Sequence, residues 1–156
     1  MCGYTGVFWP FGLYYVRPVP ICSNCGSKER HRLLKFWFDS EIDQFRNSRT
    51  LYFAPEPSVT GFVKDAVLEY VTADLMRPDV DHNWNIENMG TMDADFDLIV
   101  CSHVLEHVDT RKALQKLRRC LKPVGALTDC RVRSGPQRGC QKFDRPALGS
   151  GLVASV

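Results

Sequence analysis

The stretch Asp95 to Val108, DFDLIVCSHVLEHV, constrains the fold of this 156-residue chain more than any other. An acidic turn leads into the short apolar run Leu98-Ile99-Val100. The polar cluster Cys101-Ser102-His103 follows at once, and a helix-like segment comes next. A continuous apolar run this short suits a strand buried on both faces of a parallel sheet better than a half-exposed antiparallel strand. In open α/β sheets ligands sit at the carboxyl ends of the strands, so a polar cluster there is a candidate site.

Strands and helices alternate around this segment. Ser27 offers an N-cap and Glu29 a first-turn acid. Leu33, Leu34, Trp37, Phe38, Ile42 and Phe45 then recur at helical spacing, which predicts a helix from about Lys28 to Phe45. A strand over Thr50–Phe53 ends at Ala54-Pro55-Glu56-Pro57, and the next helix starts near Ser58. Glu69–Ala73 reads as a second strand closed by Asp74, Asn83–Ile86 as a short third, and Asp97–Ser102 as the fourth. Asp109 caps a helix carrying Leu114, Leu117 and Leu121, with Lys122-Pro123 as its stop. This alternation predicts βαβ units and a parallel sheet.

An apolar fraction of 44% with 24% charged residues suits one globular domain. A net charge of +2 is too small to point to nucleic acid. The apolar stretch Val7–Tyr15 contains Pro10 and Gly12, lacks a basic leader and is too short to span a bilayer. The expectation is a cytoplasmic protein with no membrane partner. In a reducing compartment its seven cysteines read as metal ligands or buried side chains rather than disulfides, Cys101 and Cys120 as buried. From Thr128 onward, TDCRVRSGPQRGCQKFDRPALGSGLVASV has scattered arginines and glycines and little periodicity. It reads as the disordered tail of a truncated or frame-altered product, with a basic binding tail as the sharper alternative.

DFDLIVCSHVLEHV followed by RKALQKLRRCLKP resembles the fourth-strand region of class I S-adenosylmethionine-dependent methyltransferases, the type-11-like group in particular. The similarity runs from Leu51 to about Gly125. Upstream, MCGYTG and CSNCGSKERHRLLKFWF resemble a cysteine-containing leader found before this catalytic domain in some bacterial members. The resemblance implies an incomplete Rossmann-like parallel sheet over residues 28–127, a zinc-ribbon-like leader over 1–27 and an atypical tail over 128–156. It also implies S-adenosylmethionine as cofactor.

In that family FAPEP looks like a variant first motif. Ala54 and Pro55 would allow close backbone approach, and Glu56 would pair with the ammonium group of the cofactor. Asp74, roughly 20 residues further on, would accept hydrogen bonds from both ribose hydroxyls; an aspartate capping a turn is the plainer alternative. Asn85 would accept from the adenine amine through its carbonyl, and the Ile86 amide would meet a ring nitrogen. Ser102 and His103 would border the cofactor, with His103 as the one candidate base. Glu106 and His107 would shape the rim. His103 to His107 also spells H-x-x-E-H, an inverted zinc-protease motif, but it follows directly on a buried strand instead of lying within a long helix.

Cys22-Ser23-Asn24-Cys25-Gly26 is a C-x-x-C-G knuckle, and Cys2-Gly3 looks like half of another. Cys2, Cys22 and Cys25 are therefore candidate zinc ligands, with His31 as a candidate fourth. A thioredoxin-like redox role competes, against the Ser-Asn dipeptide and the missing strand before the motif. The run Lys28-Glu29-Arg30-His31-Arg32 reads as a solvated first turn, and Phe36, Trp37 and Phe38 as core or leader joint.

The function expected by resemblance is methyl transfer to an unidentified acceptor. The alternative is a non-catalytic remnant or zinc-binding interaction module. It draws on the missing glycines after the first strand, on Asn85 where the family has aspartate, on Val124 where the family's LKPGG would have glycine, and on the tail. A sheet lacking its last strands would need an oligomer or partner over its open edge.

Overall fold

The computed structural model describes residues 2–11, 19–90, 93–131 and 139–145. A two-stranded antiparallel hairpin comes first, β1 (Phe8–Phe11) and β2 (Val19–Cys22). Helix α1 (Glu29–Phe45) leads into β3 (Arg49–Phe53), α2 (Pro57–Lys64), β4 (Glu69–Asp74), the two-residue β5 (His82–Asn83) and β6 (Phe96–Ser102). A 3-10 turn (Leu105–His107), α3 (Thr110–Cys120), β7 (Leu121–Arg131) and β8 (Gly139–Asp144) complete the order. The six-stranded sheet runs β5-β4-β3-β6-β7-β8, parallel throughout except for the antiparallel β7–β8 pair.

Strand alternation divides the core in two. Leu51, Phe53, Ile99 and Cys101 face a cluster with Leu114 and Leu117 of α3. Tyr52, Leu98 and Val100 face the other side, against Leu34 and Phe38 of α1 and Val59 and Val63 of α2. The apolar run in β6 is thus buried on both faces, as a covered parallel strand requires. Each fully buried side chain of this size contributes about 1.5–3 kcal/mol. Cys101 and Cys120 are both buried, as their apolar flanks suggest.

Local chemistry explains the helix limits. Pro57 opens α2, where its missing N–H costs nothing. The Asp109 carboxylate accepts from the Arg111 and Lys112 amides at the start of α3. In α1 the burial of His31, Leu34, Phe38 and Phe45 follows the 3.6 period, whereas Phe36 is 75% exposed, half a turn away from Phe38. Phe36 therefore belongs to neither the core nor the joint. The cap of α1 is Lys28, and Ser27 is buried in the knuckle instead.

Four further expectations change. The third strand is β5, one residue earlier and shorter than Asn83–Ile86. Helix α3 ends at Cys120, so Leu121 belongs not to it but to β7, which also holds Lys122-Pro123, a register shift between Phe96 and Leu98 absorbing the proline. The sequence from Thr128 is not structureless in its described part: β7 runs to Arg131 and β8 pairs back from Gly139. Cys130 and Cys140, opposite each other in that pair, form a disulfide, against the reading of all seven cysteines as reduced. The remaining tail, 132–138 and 146–156, lies outside the described residues. No helix among the described residues is long and apolar enough to cross a membrane.

Candidate functional site

Register brings three of the expected residues to one level. Phe53 lies opposite Ala73 on one side and Cys101 on the other, so the next residues, Ala54, Asp74 and Ser102, emerge side by side at the carboxyl ends of β3, β4 and β6. At a strand spacing near 4.8 Å they span roughly 10 Å of backbone. Ala54 and His103 both adopt left-handed conformations, φ +50° and +60°. Such residues cost about 1–2 kcal/mol each where glycine is absent, and they concentrate at functional edges. Ser102 Oγ is buried with no hydrogen-bond partner among the described residues.

Asp74 serves its own turn with one oxygen. Oδ1 accepts the Met76 and Arg77 amides at 2.8 and 3.1 Å, while Oδ2 accepts no hydrogen bond from a described residue. The turn-capping alternative is therefore real, and it leaves half of the carboxylate available. Asn85 differs from expectation. Its side-chain carbonyl accepts the Glu87 amide at 2.9 Å, so its outward groups are the two amide hydrogens, donors instead of the expected acceptor. Ile86 buries its side chain in the core. Glu87 Oε1 in turn accepts the Asp109 amide at 2.7 Å, fixing this loop to the start of α3.

Glu56 is the largest departure. Its carboxylate is held by the Arg30 guanidinium and lies 2.8 Å from His31 Nε2, so it is not free to meet a ligand's ammonium group alone. His31 Nδ1 accepts the Lys28 amide, which places the ring proton on Nε2, toward Glu56. Burial would raise the Glu56 carboxyl, but the hydrogen bonds from His31 and Arg30 outweigh it and hold it at about 2. Arg30 and His31 are thus not a solvated turn: their side chains are 14% and 4% exposed. On the far side of the same loop the Arg77 guanidinium donates to the Pro55 carbonyl. A cavity of about 350 Å³ lies there, lined by Pro55, Pro57, Thr72, Arg77 and Asp79. It flanks α2, and Ala54, Asp74 and His103 are not among the residues that line it.

His103 is half-exposed, and its Nδ1 pairs with the Glu106 carboxylate. That contact fixes the ring so that Nε2 is left to take a proton. His107 meets it edge-on at 5.3 Å. Ligand atoms of His103, Glu106 and His107 lie within 4.8 Å of one another, all three residues exposed. Leu105–His107 is a 3-10 turn, so the helical geometry of an inverted zinc-protease motif is not formed.

At the amino end, the sulfurs of Cys2, Cys22 and Cys25 lie within 4.8 Å of one another, with Cys2 and Cys22 3.6 Å apart. Tetrahedral zinc with Zn–S bonds of about 2.3 Å sets sulfurs roughly 3.7 Å apart. Gly26, at φ +67°, lets the knuckle turn back so that its amide reaches the Cys22 carbonyl at 2.9 Å. The Ser27 hydroxyl, opposed by burial and helped by the Ser27 amide and the two neighbouring thiols, brings the Cys25 thiol down to about 6. His31, engaged at both ring nitrogens, is not a fourth ligand of this cluster.

Residues 59–128 match the family model described as a methyltransferase domain. This segment, somewhat under half of the chain, is thus similar to a methyltransferase domain. The PH0226 protein of Pyrococcus horikoshii superposes on this domain with a TM-score of 0.56 at 17% identity, over 68% of this chain and 59% of its own. The YcgJ protein of Bacillus subtilis gives 0.54 at 20% identity, over 64% and 50%. Both likenesses are of the fold alone. A 43-residue segment is 49% identical to the uncharacterized protein MJ0638 of Methanocaldococcus jannaschii, covering 28% of this chain and 19% of that protein. The chain thus spans between half and three-fifths of these solved relatives and about a fifth of the curated one.

Arg30 is the site residue that sequence reasoning missed, and His31, expected as a zinc ligand, serves Glu56 instead. The available signal was their place, directly between the C-x-x-C-G knuckle and an apolar helix.

Proposed function

We propose that this chain binds S-adenosylmethionine at the carboxyl ends of β3, β4 and β6 and transfers its methyl group to an acceptor still to be identified. The observation that carries the reading is the shared level of Ala54, Asp74 and Ser102, together with the unmet Ser102 hydroxyl and the free Asp74 oxygen. Asp74 Oδ2 would accept from the ribose, the Ile86 amide and the Asn85 side-chain donors would meet the adenine, and Ala54 would admit the cofactor close to the backbone. When bound, the sulfonium supplies a methyl carbon open to direct displacement. The chain's share of the work is alignment and exclusion of water. His103, whose Nδ1 pairs with Glu106, would take a proton at Nε2 where the acceptor must lose one. A thiophilic divalent cation, with zinc the best match to three thiolates, belongs to the same reading at Cys2, Cys22 and Cys25.

Calorimetric titration with S-adenosylhomocysteine tests this. The parent is expected to bind at micromolar affinity, and Asp74→Ala, with its circular dichroism unchanged, to lose at least tenfold. No heat from a folded parent chain would sink the cofactor reading.

A further inference from the structure

The knuckle and the strand-end loop are joined by a short series of polar contacts. The Cys25 carbonyl accepts from Ser58 Oγ at 3.3 Å, so the knuckle touches the first turn of α2. The Ser27 carbonyl accepts both the Cys22 amide at 2.9 Å and Arg32 Nη1 at 3.1 Å, which fixes the knuckle to the first turn of α1. From that turn Arg30 and His31 reach Glu56, between Ala54 and the start of α2. The three sulfurs on one side and the loop on the other are therefore linked through the turn 27–32, in which Ser27 and His31 are buried.

The three sulfurs lie within 4.8 Å of one another, the spacing at which one tetrahedral thiophilic cation would bind them all. The position of Cys25, and with it the start of α1, thus depends on what occupies the cluster. The position of Glu56 depends in turn on α1. Ser58 is held from the knuckle at Cys25 and Glu56 from the first turn of α1, on both sides of Pro57.

We propose that a thiophilic divalent cation at Cys2, Cys22 and Cys25 sets the conformation of residues 54–58, so that metal loading and cofactor affinity are thermodynamically coupled. This rests on the cofactor reading above for its ligand, but not for its structural half. Linkage makes the coupling reciprocal: the factor by which metal tightens the cofactor equals the factor by which the cofactor tightens the metal.

The test uses the full chain, zinc-loaded and chelator-stripped, both shown to be folded by circular dichroism. Zinc stoichiometry is followed by metallochromic dye, amide hydrogen exchange over 54–58 by mass spectrometry, and S-adenosylhomocysteine affinity by calorimetry. One zinc per chain is expected, with slower exchange at 54–58 and at least tenfold tighter S-adenosylhomocysteine in the loaded form. Should the stripped chain unfold, zinc-loaded Arg30→Gln stands in for it, with faster exchange over 54–58 and weaker zinc expected. Exchange and affinity that ignore zinc, or a chain that binds none, would overturn the proposal. If S-adenosylhomocysteine binds neither form, the cofactor reading falls and exchange alone decides the coupling.

Discussion

At Glu56 two opposing effects are resolved by geometry. Burial disfavours the charged carboxylate, yet hydrogen bonds from His31 and Arg30 carry its value down from the ordinary 4.5 to about 2. A carboxyl depressed by folding contributes stability that is complete above its unfolded value and lost as pH falls through its folded value. The window is therefore pH 4.5 down to 2, and the amount is on the order of 3 kcal/mol. Urea midpoints of the parent are expected to fall across that window more steeply than those of Glu56→Gln. Parallel curves would show that Glu56 is not anchored as described. None of this was legible in the sequence, where Glu56 read as a cofactor contact, because its partners lie 26 residues upstream and meet it only after α1 packs. Ala54 teaches the converse. The missing glycine was plain in the sequence, but the left-handed backbone it would have supplied is present all the same.

Among the elements, those with strong local periodicity were legible: α1, β3, β4, β6 and α3 fall within a residue or two of their expected limits. The strand β8 was not, since nothing local marks Gly139–Asp144 as a strand and only its pairing with β7 makes it one. The bend at the start of β7 separates two neighbours that the sequence treated together. Val124 is 92% exposed, so its departure from the family glycine has no structural cost. Gly125 is buried, and a Cβ there would sit 3.0 Å from the Lys122 and Phe96 carbonyl oxygens and from a Leu121 methyl. Two of those three are backbone and cannot swing aside. Gly125→Ala is expected to cost about 1–3 kcal/mol, whereas Val124→Gly should stay within about 0.5 kcal/mol. Thermal melts of the two variants side by side check the contrast, and equal losses would contradict it. Val124 and Ala54 thereby lose their force as arguments for a degenerate remnant.

For the whole molecule, the sheet has one edge in the two-residue β5 and the other in β8, which is tied to β7 by the Cys130–Cys140 disulfide. Alkylation in denaturant and chelator, followed by intact mass, is expected to add five labels without reductant and seven with it. Seven in both cases would show the bond is not made. The parallel sheet covered on both faces was readable from Leu98-Ile99-Val100 and its neighbours; the bracing of its carboxyl edge was not, because it depends on contacts between distant segments. That bracing has a kinetic consequence. The turn after β3 is already fastened by Arg77 at Pro55, by Arg30 and His31 at Glu56 and by the Cys25 carbonyl at Ser58. Little freedom is left there to surrender when a small molecule arrives. Entry should then proceed as a single encounter without a slow rearrangement of this turn, and differences in residence time should originate in the departure step.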